Sequence, residues 1–234
     1  LCSATLRALN SFQHFRMQAG LSDNDGSQYL HVDSPFNYQQ NAQLVIADMP
    51  VEPTAPQFTD ELVRKLAKII NVEEATLVLF SSHWQMKQVA QALRKQKFSL
   101  KVQGEESRQE IIAHHKNKIE KNQGSIIFGS QSFSEGLDLP GKLLTHVIIT
   151  KLPFAVPTSP VEEAQSEYIS AKGGNPFLSI TVPDASKKLV QACGRLLRSE
   201  QDTGKITILD RRLVSKRYGK ALLDALPPFA RIVE

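Results

Sequence analysis

The 234-residue chain predicts an α/β fold of three layers, a mostly parallel sheet between two layers of helices. Three observations predict it. Apolar runs such as those at 76–80, 125–128 and 146–149 show no polar alternation, as expected of strands buried on both faces. Between the runs, apolar residues recur three and four apart, the period of an amphipathic helix. Connections are short, so strand and helix alternate as in a doubly wound sheet, whose ligands sit at the carboxyl ends of the strands.

The elements follow in order. Residues 1–6 read as the end of a buried strand entering a helix over 7–19, and Ser22, Asn24, Asp25 and Gly26 mark a loop. Residues 1–42 are read as the end of a preceding domain plus a linker, and 43–234 as one domain. Strands are expected at 44–47, 76–80, 98–102, 125–128, 146–149 and 205–209. Helices are expected at 60–70, 85–95, 161–171 and 213–225. Ser107 and Glu110 form a capping box that launches another helix. Asp184 is the expected N-cap of a helix with apolar positions at Leu189, Ala192, Cys193, Leu196 and Leu197. On this reading Gln191, Arg195 and Arg198 share the polar face. Two guanidiniums and an amide together suit a multiply charged anion such as a triphosphate. Gly194, costly inside a helix, asks for a packing or approach reason.

Composition bounds the function. Hydrophobic residues make 41% and charged residues 22%, values of an ordinary globular protein, and no run approaches the about 18 apolar residues a membrane span needs. Cys2 and Cys193 cannot build a disulfide framework or a C-x-x-C metal pair, so a reduced, cytoplasmic setting is expected. The pair His114 and His115 has no partner at metal spacing, so no metal site is expected. The chain starts at Leu1 with no basic-then-apolar leader, which is read as a fragment of a longer protein. Net charge is +4, yet residues 184–220 carry ten basic and four acidic residues, a local positive field.

The strand ends hold the chemistry. Ser81 and Ser82 follow one strand, and Asp210, Arg211 and Arg212 another. Residues 129–141, Gly-Ser-Gln-Ser-Phe-Ser-Glu-Gly-Leu-Asp-Leu-Pro-Gly, follow a third. Small hydroxyl residues beside glycines admit phosphate oxygens, and Glu135 and Asp138 offer acceptors to a ribose or a cation shell. Residues 136–142 also spell G-x-x-x-x-G-K. Leu143 stands where Ser or Thr would hold magnesium, and Pro140 removes a backbone donor, so this is no P-loop. Without a P-loop or a D-E-x-H segment, the chain alone is expected to lack ATPase activity.

Four segments in order resemble superfamily 2 helicases. Ser3, Ala4 and Thr5 resemble motif III, residues 77–82 motif IV, residues 129–141 motif V, and Gln191 to Arg198 (Q-x-x-G-R-x-x-R) motif VI. The S-F-x-E-G-x-D form of motif V is similar to that of the iron–sulfur, XPD-like branch, and within it to the bacterial DinG-type helicases. Cys2 and Ser134 depart from the pattern. The resemblance implies the second RecA-like lobe of a 5′-to-3′ DNA helicase of repair or replication. Arg198 is then the arginine finger, with Arg195 beside it and Gln191 linking nucleotide state to lobe closure. Glu135, Gly136 and Asp138 face the nucleotide, Ser3, Ala4 and Thr5 couple the lobes, and Ser81, Ser82, Gln131 and Ser132 contact single-stranded DNA without regard to sequence. ATP and Mg2+ are shared with a first lobe in cis, outside this chain, which also holds the 4Fe–4S cluster. Two other readings compete: a nucleic-acid-binding module without a motor, which has no need of Arg195 and Arg198, and a phosphate-handling transferase, which would need an anion loop and a general base that the chain lacks.

Overall fold

A computed structural model describes residues 2–3, 5–22, 24–155 and 159–234. Seven strands form one sheet: β1 (Ala42–Ile46), β2 (Ala75–Phe80), β3 (Leu100–Val102), β4 (Ser125–Ser130), β5 (His146–Ile149), β6 (Gly204–Ile208) and β7 (Ala230–Val233). Their order is β3-β4-β2-β5-β6-β1-β7, and every recorded pairing is parallel. The helices are α1 (Gln13–Ala19), α2 (Tyr38–Asn41), α3 (Phe58–Ile69), α4 (His83–Lys95), α5 (Arg108–Glu120), α6 (Gln131–Ser134), α7 (Pro160–Ala171), α8 (Val182–Cys193), α9 (Arg212–Ser215) and α10 (Arg217–Asp224).

Two compact units divide the chain. The larger comprises Phe36–Leu152, Ala192–Arg212 and Pro228–Glu234 and holds the sheet. All six β2 residues are buried, which is why that run lacks polar alternation. Val78 and Phe80 join Phe58, Leu62 and Leu66 of α3 and Met86, Val89 and Leu93 of α4 in one apolar cluster. By the two-residue period of a strand, Leu77 and Leu79 face the other way. Each such side chain, fully buried, stabilises the fold by roughly 1.5–3 kcal/mol. Ser107 caps α5 reciprocally with Glu110, as the sequence predicts.

The smaller unit comprises Leu1–Pro35, Pro153–Gln191 and Leu213–Pro227. It is tied by polar contacts across long sequence separations. His14, 6% exposed, joins Asp184 at 3.0 Å, and Asn10 donates to the Asp224 carbonyl at 2.7 Å. Phe154, Phe177 and Tyr218 meet ring to ring at 5.3–5.5 Å.

Several sequence expectations change. No strand forms among the described residues before α1, and the helix expected over 7–19 begins only at Gln13. Leu9 and Asn10 have φ of 50° and 60°, left-handed values that an α-helix does not accept, and Ala8 and Ser11 close a tight turn around them. Asp184 is no N-cap. A π-helical turn at Phe177–Thr181 precedes α8, and the Asp184 carboxylate binds His14 and Lys187 within the first turn. The helix expected over 213–225 breaks at Lys216, whose backbone is extended (ψ 147°). Strand β7 escapes the sequence reading because all four of its residues are exposed, so no burial pattern marks it. Its backbone pairs with β1 nonetheless.

Candidate functional site

The motif V segment is built around β4. Gly129 is required for close approach: a Cβ there would lie 2.6 Å from the Phe133 ring. Phe133, 5% exposed, fills that space from α6. Ser130 caps α6 by accepting from the Phe133 N–H at 3.3 Å, and its hydroxyl lies 2.9 Å from that of Ser132. The chain then turns at Gly136, whose φ of +69° suits glycine. This turn aims the carbonyls of Glu135 and Leu137 at three arginines.

Arg198 Nη2 donates to the Leu137 carbonyl at 2.8 Å, and Arg195 Nη1 donates to the same oxygen at 3.3 Å. Arg108, the first residue of α5, donates to the Glu135 carbonyl. Its guanidinium lies 5.6 Å from the Phe133 ring centroid, a cation–π arrangement. Burial lowers the Arg195 pKa, and the neighbouring Arg198 and Arg108 charges push the same way, while Glu135 opposes them. Arg195 Nε is buried without a partner. Arg195 and Arg198 thus end on a neutral carbonyl rather than on a carboxylate, an arrangement that a stronger anionic acceptor can replace.

The motif VI geometry differs from the sequence expectation. Helix α8 stops at Cys193, so Arg195 and Arg198 do not continue one helical face with Gln191. The backbone tightens after Cys193 through bonds from Arg195 N to Ala192 O and from Leu196 N to Cys193 O, both 3.2 Å. Leu196 and Leu197 remain buried. Gly194 therefore marks a helix end rather than a close approach within a helix.

Asp202, which the sequence reading passed over, holds this turn. It is 4% exposed. Its Oδ2 accepts from Arg198 N at 2.7 Å and Ser199 N at 3.0 Å, and its Oδ1 accepts from Ser199 Oγ at 2.6 Å and Gly141 N at 3.1 Å. Burial acts to raise its pKa, but the Ser199, Arg198 and Gly141 donors outweigh it and hold the carboxyl below its usual range. One carboxylate thus fastens the turn that carries Arg198 to the end of the 129–141 segment. It also takes the Gly141 N–H of the G-x-x-x-x-G-K stretch. Arg108 was missed for another reason: a lone arginine beside a capping serine gives no signal until the fold brings it to Glu135. Helix α5 is fastened a second time where His115 Nε2 meets the Leu143 carbonyl at 2.7 Å.

The other candidates fall in two places. Register pairs Phe80 of β2 with Ser130 of β4, so Ser81 and Ser82 emerge beside Gln131 and Ser132 at the carboxyl ends of two adjoining strands. Ser82 caps α4, accepting from Gln85 N at 3.3 Å. Glu135, Gly136 and Asp138 are exposed. In the smaller unit, Gln191 Nε2 lies 3.4 Å from Thr5 Oγ1, and Ser3 Oγ lies 3.3 Å from the same hydroxyl. Ala4 lies outside the described residues. Among the described residues no three His, Cys, Asp or Glu converge as metal ligands, and no helix is long and apolar enough to cross a membrane. Cys2 is exposed, while burial pushes the Cys193 thiol up to about 12, so these two do not suit an iron–sulfur cluster.

Comparison with known proteins identifies the family. Over its whole length the chain is 56% identical to the ATP-dependent DNA helicase DinG of Photobacterium profundum, covering 34% of that protein. It is 38% identical to DinG of Escherichia coli (strain K12) over 97% of this chain and 32% of that protein. The chain thus spans about a third of the length of these curated relatives. Among solved structures an XPD helicase matches 83% of the chain and 36% of its own, with a TM-score of 0.61 and 19% identity, a likeness of fold. Residues 64–229 match the family described as helicase C-terminal domain. The chain therefore belongs to the helicase C-terminal domain family.

Proposed function

We propose that this chain is the second motor lobe of an ATP-dependent DNA helicase that moves 5′ to 3′ on single strands in DNA repair or replication. One observation carries the reading: Arg195 and Arg198 meet at the Leu137 carbonyl, between Glu135 and Asp138. A neutral carbonyl is a weaker acceptor than a phosphate oxygen. A γ-phosphate presented by the first lobe would draw Arg198 off Leu137 and onto the transferring group. Arg198 is thus the finger, Arg195 its neighbour, and Gln191, bonded to Thr5, the link to lobe closure.

Residues 1–42 belong to the end of the first lobe and its linker, and 43–234 to the second. The first lobe, in cis, supplies the Walker motifs that hold ATP with Mg2+, and the 4Fe–4S cluster. Alone, this chain turns over no ATP. Ser81, Ser82, Gln131 and Ser132 hold the phosphates of one strand, without reading bases.

The test is Arg198→Ala in the full-length helicase. ATP turnover should fall about 10³-fold to 10⁵-fold while single-stranded DNA binding survives. Near-normal turnover would sink the finger assignment. Binding should also weaken steeply with added salt, and a salt-insensitive complex would count against a phosphate-led interface.

A further inference from the structure

The chain has one tryptophan, Trp84, and it is 67% exposed. An indole in water forgoes the burial that usually makes this residue part of a core or an interface. Its place is well defined. Ser82 caps α4, so Trp84 sits in the first, hydrogen-bonded turn of that helix. The opposite face of α4 is anchored in the core by Met86, Val89, Ala90 and Leu93. Trp84 therefore stands on a rigid element, two residues after Ser82 and just beyond β2, whose last residue, Phe80, pairs with Ser130 of β4.

The surroundings decide what could cover it. Lys87, Gln88 and Gln91 are exposed on the same face of α4, three, four and seven residues on. A protein–protein interface core would ring an exposed indole with further apolar side chains and few charges. Here the ring stands among a lysine, two amides and the hydroxyls of the preceding loop. A flat aromatic face beside cationic and hydrogen-bonding groups is the combination that binds single-stranded nucleic acid, the ring taking a base and the polar groups its backbone.

We propose that Trp84 is a base-stacking platform, taking one nucleobase of a single strand whose phosphates run along Ser81, Ser82, Gln131 and Ser132. The proposal rests on the DNA-binding reading above and adds a base contact to an interface otherwise made of backbone contacts. Stacking has little sequence preference, because every base has a π-face.

Having one tryptophan makes the test direct. Intrinsic fluorescence of the 234-residue chain is followed while an oligo-dT strand is added, with binding measured in parallel by anisotropy of a labelled strand. Tryptophan emission should be quenched along the same isotherm as the anisotropy. A strand of equal length with abasic sites, carrying phosphates but no bases, should bind without quenching. Trp84→Ala should weaken dT binding about 5-fold to 150-fold, and Trp84→Phe, which keeps an aromatic face, should recover most of it. Binding with unchanged emission, or quenching equal with the abasic strand, overturns the stacking role and leaves the DNA-binding reading intact. No binding to either strand overturns both.

Discussion

Two strand ends in the larger unit meet arginines, and they engage them differently. After β6, Asp210 is fully buried and grips Arg212 with two oxygens: Arg212 Nε donates to Oδ1 at 3.0 Å and Nη2 to Oδ2 at 2.7 Å. The backbone N–H groups of Leu152 and Arg212 fill the carboxylate's other lone pairs, at 2.8 and 3.1 Å. After β4 the Leu137 carbonyl, a neutral acceptor, is shared by Arg195 and Arg198 from the turn that follows α8, and Arg195 keeps a buried Nε without a partner. The first arrangement is complete and has no capacity for a ligand. The second is held in place yet electrostatically unfinished. A guanidinium that meets its carboxylate inside the fold serves stability, and one aligned on a carbonyl remains available to an anion from outside.

Substitutions can break that contrast, and the largest effect belongs to the unfinished site. Arg198→Ala, which should remove most ATP turnover in the full-length helicase, should leave the urea midpoint of the 234-residue chain within the range of an ordinary surface change, about 0.5 kcal/mol. A large loss of stability would make Arg198 structural, like Arg212.

Acid gives the next largest effect and extends the contrast to a buried group with no ligand to meet. His146 is fully buried, its Nε2 2.8 Å from Thr207 Oγ1, and its Nδ1 has no hydrogen-bond partner although Glu74 approaches to 3.9 Å. Burial, with a smaller push from Lys205, lowers its pKa to about 3. The native ring stays neutral while the unfolded ring takes up a proton below its ordinary value of 6.5. Stability should therefore fall as pH drops from about 6.5 toward 3, by up to about 5 kcal/mol from this residue. Urea melts at pH 7 and pH 4 measure it, and the decline should flatten in His146→Asn.

At the completed site, Arg212→Ala strands a buried carboxylate and should destabilise by about 3–5 kcal/mol. A cost below about 1 kcal/mol would show that Asp210 reaches water or protonates at no penalty. Asp202→Ala comes next. Removing its bonds to Arg198, Ser199 and Gly141 should cost about 2 kcal/mol in a thermal melt. If Arg198 acts as proposed, turnover in the full-length helicase should fall as well, since the turn that carries Arg198 loses its fastening. The smallest change is Ser107→Ala, about 1 kcal/mol for the cap of α5, the helix whose first residue reaches Glu135.

The β-strands were readable because parallel strands buried on both faces leave unbroken apolar runs, as in β2, β4 and β5. The capping box of α5 was readable because its two partners lie three residues apart. Beyond the local scale sequence signals fade. The apolar spacing of Leu196 and Leu197 continues the helical period of α8 through Arg198, although the backbone leaves the helix after Cys193. The turn at Leu9 and Asn10 has no glycine to announce it. All four residues of strand β7 are exposed and carry no alternation. Asp202 stands four residues after Arg198 in an unremarkable polar stretch, and only the folded turn brings Gly141 to its oxygens.

By itself, then, the sequence determined the parallel α/β class, the order of the helicase-like segments and which residues carry charge at the strand ends. These follow from periodicity, composition and local spacing, which act over a few residues. The tertiary structure alone decided which arginines meet which acceptors. Arg108 reaches Glu135 across 27 residues of chain, and Arg198 reaches Leu137 across 61. The physical reason is that a hydrogen bond is satisfied by geometry within about 3 Å, and such distances between remote segments are set by how the sheet and its helices pack.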